Sequence, residues 1–143
     1  MNIEKFKHQH IDILSSIARL RQLSRAGVTD NAAAIAAQIV EVSGIIKLHL
    51  AVEDRSLYPA LEACADARLV NMSRAYRTEM KDIAQAYLGF AAKWNTARQV
   101  ALEPEGFRAD ANRVLRHLFE RIQREDHAFY PAIEAAAVAA VAA

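Results

Sequence analysis

The stretch EDRSLYPALEACA, residues 53–65, decides how this chain is read, because it returns as EDHAFYPAIEAAA at residues 125–137. The two stretches share Glu-Asp, Tyr-Pro-Ala, Glu-Ala and the final Ala. Four residues before Glu53 stands His49, whereas four residues before Glu125 stands Arg121. The repeat implies two equivalent helix ends, and the one difference implies that they are not chemically equivalent.

Apolar residues upstream of each copy fall at helical spacing. Ile35, Ile39, Val42, Ile46, Val52 and Leu57 draw one stripe, predicted to end near Pro59. Val114, Leu118, Ile122 and Phe129 draw another, closed by Pro131. Ile3, Phe6, Ile13, Ile17 and Leu20 precede the Gly27 and Thr29-Asp30 stop signals,. Leu69, Met72, Tyr76, Met80, Ile83, Tyr87, Phe90 and Trp94 continue at heptad-like spacing and stop before LEPEG. Four such helices with short connections predict an all-α fold, an antiparallel up-down four-helix bundle. Helix three also echoes helix one, RTEMKDIAQAY against HQHIDILSSI, which sets Met80 opposite His10. The chain therefore reads as two repeated helical hairpins.

The composition agrees with helices. Only 4 Gly and 3 Pro occur in 143 residues, and the apolar fraction is 53%,. One domain over residues 1–143 is expected, with residues 136–143 an Ala-rich, fraying helical extension without chemistry of its own,. A net charge of +1 with dispersed basic residues argues against nucleic acid as a partner,. Cys64 is the only cysteine, which excludes an internal disulfide and a Cys-based zinc cluster,. The runs AAAIAAQIV and AAAVAAVAA are shorter than the roughly 20 residues that span a bilayer, and MNIEKFKHQH is too polar for a secretory signal,. No membrane association and a cytoplasmic location are expected. The oligomeric state is not legible.

His10, between Phe6 and Ile13, and His49, between Ile46 and Val52, lie on inner stripes. A lone inward histidine is usually a core residue satisfied by a hydrogen bond. Here His49 and Glu53 stand side by side at i and i+4, and Glu125 takes the matching place on helix four,. A carboxylate in a bundle core is costly unless paired, protonated or bound to a metal. Two histidines and two glutamates converging from three helices call for a cation. Nitrogen and oxygen donors without sulfur suit iron, manganese or zinc.

At these residues the sequence resembles the hemerythrin-like domains, also described as the HHE cation-binding domain. The resemblance covers nearly the whole chain and rests on Gln9-His10 with Ile13, Ile17 and Leu20, on HLAVEDRSLYP at 49–59, and on REDHAFYP at 124–131. It implies a helical bundle around a non-haem di-iron centre, with histidines from all four helices, two bridging carboxylates, and a small-molecule ligand such as dioxygen, NO or peroxide. The positions that match are His10, His49, Glu53 and Glu125.

Two positions depart from the family. Met80 stands where helix three would offer a histidine, with Tyr76 one turn earlier, and Arg121 stands where helix four would offer one. Arginine keeps its proton and its charge, so it repels a second cation and is expected to pair with Glu53 or Glu125. His117 and Glu79 could complete a site, but a boundary histidine and a solvated helix-edge glutamate are the plainer readings; His8 and His127 should face away. The expectation is a degenerate centre with one non-haem iron per chain, another divalent metal being admissible, that senses or handles iron, dioxygen, NO or peroxide. The rival is a metal-free regulatory module in which Arg121 neutralises the glutamates. A haem-binding bundle with Met80 as axial ligand is a remote third reading that leaves the carboxylates unexplained. No nucleophile and base pair is visible, so nothing names an enzyme.

Overall fold

The structure is a computed structural model, and it describes residues 2–142. Helix α1 spans Glu4–Ala26 and α2 spans Ala32–Val52; a π-helical turn, Glu53–Leu57, joins α2 without a break to α3, Tyr58–Glu62. Then follow α4, Ala67–Trp94, the short α5, Ala97–Leu102, and α6, Pro104–Arg124, which a second π-helical turn, Glu125–Phe129, joins to α7, Tyr130–Ala142. No strand occurs among the described residues.

The long rods form a closed ring in which α1 packs on α2, α2 on α4, α4 on α6 and α6 on α1. Paired residues run in opposite order along the neighbouring rods. His10 near the start of α1 meets His49 near the end of α2, the Tyr87 hydroxyl donates to the Ile39 carbonyl, and Trp94 Nε1 donates to Asp110 while Tyr76 lies beside Arg124. The four predicted stripes face inward, with Ile13, Ile17, Ile39, Ile46, Tyr87, Trp94, Leu118 and Ile122 all buried.

Two expectations need correction. Neither Pro59 nor Pro131 ends its helix. Proline lacks an N–H and its ring crowds the carbonyl four residues back, so an ordinary turn would leave Arg55 and His127 without a good partner. The π turn removes the conflict by widening. Tyr58 N–H bonds to the Glu53 carbonyl and Tyr130 N–H to that of Glu125, five residues back in each case, so the chain passes the proline as a helix,. The repeated phrase is thus the sequence of a repeated π turn. The third helix stops before LEPEG as expected, ending at Trp94, and Thr96, accepting from Gln99 N–H, caps a separate α5 that the stripe did not show,. The Ala-rich tail is helical through Ala142, and its last residue lies outside the described residues.

The continuous rod Ala32–Glu62 is, by length and composition alone, long and apolar enough to cross a bilayer, a property the single run AAAIAAQIV understates. In the bundle 33% of its most apolar window is buried.

Gly27 closes α1 at φ 131°, where a side chain is strained, whereas Gly89 lies within α4 and a Cβ there would meet nothing within 4 Å. Gly27→Ala is expected to lower the unfolding free energy by about 1–3 kcal/mol. Gly89→Ala should raise it by about 0.5–1 kcal/mol. Urea titrations of the two variants check the contrast, and equal effects would contradict the backbone assignment at Gly27.

Candidate metal centre

A polar layer interrupts the apolar interior at one level of the bundle. Below it Phe6, Leu57, Tyr58, Phe129 and Tyr130 belong to one apolar cluster, and above it Ile13, Ile46, Leu118 and Ile122 belong to another. Between them stand His10, His49, Glu53, Arg121 and Glu125, each at most 3% exposed.

One donor atom from each of His10, His49, Glu53 and Glu125 lies within 4.8 Å of all the others. His10 Nε2 is 3.1 Å from His49 Nε2 and 3.2 Å from Glu125 Oε1, and His49 Nε2 is 2.9 Å from Glu53 Oε1 and 3.8 Å from Glu125 Oε1. An ion with bonds of about 2.1 Å separates adjacent ligands by roughly 3.0–3.4 Å, so these edges fit one ion after a small contraction.

The outer sides of both rings explain why their inner nitrogens converge. His10 Nδ1 donates to Asp126 Oδ1 at 2.7 Å, and His49 Nδ1 donates to Gln9 Oε1 at 2.7 Å. With Nδ1–H committed outward, each neutral ring presents a lone pair at Nε2. Two lone pairs 3.1 Å apart repel unless a proton or a metal ion lies between them. The cluster is therefore built around a cation of some kind.

Without a metal the proton takes that part. Burial opposes a charge on His49, but hydrogen bonds to Glu125 and Glu53 outweigh it and push the imidazole up to about 9. Burial would likewise raise the Glu125 carboxyl, yet hydrogen bonds from His10 and His49 and the charge of Arg121 hold it well below the usual carboxylate range. Glu53 goes the other way, raised by burial and then by the charge of Glu125. Glu125 is the firmly ionised member of the pair.

Arg121 is fully buried, and it lies where helical phase placed it. Its Nε stands 3.6 Å from Glu125 Oε2, close enough for an ion pair but too far for a hydrogen bond, and both atoms lack a hydrogen-bond partner. One guanidinium nitrogen donates to the Tyr58 hydroxyl at 3.3 Å, another approaches Glu79 at 3.4 Å, and the group lies over the Tyr76 ring at 4.6 Å. Tyr58 in turn donates to Glu53 Oε2 at 3.0 Å, so Arg121 reaches both glutamates, one directly and one through a hydroxyl.

The remaining sequence candidates sort clearly. Glu79 is not an idle surface glutamate, because Arg121 and Arg124 both bind it and hydrogen bonding from Arg124 holds its carboxyl below the usual range. His117 is exposed and takes no part; His8 and His127 are exposed as expected, the latter bonded to Gln123. Met80 is buried beside Tyr58 on a cavity of about 190 Å³ that also meets Leu50 and Ala84, and it donates nothing to the four-residue cluster. Tyr76 stacks on Phe129 with centroids 4.3 Å apart.

Sequence reasoning missed Tyr58 and Tyr130. Tyr130 donates to Glu53 Oε1 at 3.2 Å and stands 3.3 Å from His10 Nε2. Burial and then the nearby carboxylates raise both phenols, Tyr58 by Glu53 first and Tyr130 by Glu125 first, so both are hydrogen-bond donors rather than anions. Their signal was the Tyr-Pro shared by the two stretches.

An all-helical ring around buried histidines and glutamates spaced for one cation defines a class of cation-binding bundle. The chain belongs to the hemerythrin HHE cation binding domain family, which it matches over residues 1–133. No curated protein and no solved structure matches it.

Removing Arg121 leaves buried carboxylate charge without its compensation. In metal-free protein Arg121→Ala is expected to cost about 3–5 kcal/mol of stability. Arg124→Ala removes a half-exposed partner of the same Glu79 and should cost less than about 1 kcal/mol,. Denaturant unfolding of the two variants decides it; similar losses would mean that Arg121 is not the compensating charge.

Proposed function

We propose that this protein holds a single iron ion through His10, His49, Glu53 and Glu125 and acts in sensing or handling dioxygen, NO, peroxide or iron itself. The observation that carries the reading is the asymmetry of the centre. His10, His49 and Glu53 converge with one oxygen of Glu125, and the buried Arg121 guanidinium lies 3.6 Å from its other oxygen. A fixed cation beside Oε2 disfavours a second metal ion there. Bound iron would supply the redox chemistry and positions for a small ligand. The protein's own part is to orient the two imidazoles through Asp126 and Gln9, to exclude water with two apolar clusters, and to present the Tyr58 and Tyr130 hydroxyls as donors.

A metal-free regulatory module remains the second reading, and one observation favours it. His49, protonated up to about 9, and Arg121 supply two positive charges, enough to balance Glu125 and also Glu53 when it is ionised. The same protein can be neutral at its centre without a metal.

Elemental analysis after anaerobic iron loading separates the readings. About one iron per chain is expected; two would remove the role given to Arg121, and none would leave the metal-free module. His49→Ala and Glu53→Ala should abolish tight binding, and Asp126→Ala should weaken it about 10–100-fold by freeing the His10 ring. His127→Ala should change nothing.

The asymmetry also makes the second position restorable. Met80→His with Arg121→His replaces the repelling guanidinium and adds two nitrogen donors at the matched positions of the repeat. The double variant is expected to bind two irons per chain, and either single variant fewer, by the same elemental analysis. A well-folded double variant that still holds one iron would overturn the pairing of His10 with Met80 and of His49 with Arg121.

A further inference from the structure

Between α1 and α6 lies a groove of about 250 Å³ whose rim carries Arg21, Ser24 and Arg25 from α1 and Asn112 and Arg116 from α6. Leu20, Phe107 and Leu115, all buried, form its floor. Arg21 lies about 16 Å beyond His10 along α1 at the ordinary helical rise, so the groove is separate from the candidate metal centre,.

The rim is rich in donors that have nothing to donate to. Each guanidinium brings five N–H groups and no acceptor. No carboxylate lines the groove, and among the described residues none of its three arginines forms an ion pair. Carboxylates are not scarce, with 17 acidic against 18 basic residues in the chain, and other arginines of α6 use them. Arg108 pairs with Glu105, and Arg113 with Asp110. Arg21 and Arg25 instead stand at i and i+4, a like-charge spacing that destabilises a helix,. A cation in the last turn of α1 suits the helix dipole, which accounts for Arg25 but not for Arg21 or Arg116, both inside their helices,. Arg21 is also held in place, its guanidinium over the Phe119 ring of α6 at 5.7 Å from the centroid,.

We propose that this groove binds the diphosphate group of a small soluble anion. Its volume falls below the roughly 300–1,000 Å³ of sites that enclose drug-sized organic ligands, so it suits a compact charged group,. The planar fork of arginine matches phosphate oxygens two at a time. Two forks come from the α1 wall and one from the α6 wall, which spreads the positive charge over two adjacent phosphates, while Ser24 and Asn112 add neutral donors. A carboxylate ligand offers the same fork geometry with one charge per group, and leaves the three guanidinium groups less well neutralised.

Calorimetric titration of the full chain with inorganic pyrophosphate tests the proposal. One pyrophosphate per chain is expected, bound on the order of tenfold more tightly than sulfate or succinate at the same ionic strength. Arg21→Ala and Arg116→Ala should each weaken it on the order of tenfold. Arg116→Lys should weaken it as well, because lysine keeps the charge and loses the fork. Arg74→Ala, an exposed arginine on α4 outside the groove, should change nothing. The three groove arginines are exposed, so every variant should melt with the unaltered protein by circular dichroism. Absence of pyrophosphate binding overturns the proposal, as does equal weakening by Arg74→Ala. Arg116→Lys binding as tightly as the unaltered chain would mean diffuse charge attraction and overturn it too. So would flotation with phosphatidate vesicles in the absence of pyrophosphate binding, which would assign the phosphate to a lipid headgroup.

Discussion

Two glutamate side chains are packed in the interior of a helical bundle, and most of the structure near them follows from compensating their charge. A buried carboxylate is tolerated only where partners replace the water it has lost. Glu125 has His10 and His49 on one oxygen and Arg121 near the other; Glu53 has His49, Tyr58 and Tyr130. These partners come from α1, α2, α3, α6 and α7, so almost every rod contributes to the same layer. Arg121 is itself balanced by Glu79, whose half-exposed carboxylate also holds Arg124 at the surface. The charge chain therefore runs from the core to solvent without leaving a buried cation unmatched.

The two π turns are what allow tyrosines into this network. Five residues at the ordinary helical pitch rotate a side chain about 140° away from its starting face. A wider turn reduces that rotation, and both tyrosines accordingly return to the polar layer, where Tyr58 and Tyr130 each donate to Glu53. The prolines give the turn its cause, since each removes an N–H that a regular helix would need. Local backbone chemistry and the composition of the centre are therefore one feature: Glu opens the turn, Tyr returns to the polar layer, and Pro makes it widen.

This coupling also explains what could be read in the residues and what could not. The inner phase of His10, His49, Glu53, Glu125 and Arg121 was legible because His10 lies on a helix without a π turn and the others stand upstream of one or open it, where a period of 3.6 residues holds. Tyr58 and Tyr130 were not legible, because they lie past the widening and that period assigns them to the wrong face. Reading Pro59 and Pro131 as helix ends was the same error. Glu79 was misread for another reason: half exposure looks like an unremarkable surface glutamate, and only packing shows that a buried arginine reaches out to it. The separate α5 could have been found from its Thr96 cap and from Pro104, which suits a first helical turn,.

The repeat and its departure have a common physical meaning. Two hairpins with matched Glu-Asp and Tyr-Pro stretches build a centre of approximate twofold form, and a symmetric set of donors would favour symmetric occupancy. Arg121 breaks that symmetry by placing a permanent positive charge on one side of Glu125, and the structure responds on that side only. Tyr58 donates to one glutamate while accepting from the arginine, whereas Tyr130, its counterpart in the repeat, has no arginine and turns to His10 and Glu53. The histidine side keeps short contacts of 2.9–3.2 Å and oriented rings, and the arginine side keeps a long 3.6 Å approach with an unbonded carboxylate oxygen. Equivalent backbones thus present unlike chemistry on the two faces of Glu125, and a cation bound between the histidines would meet a guanidinium beyond that carboxylate where the other half of the repeat has an imidazole.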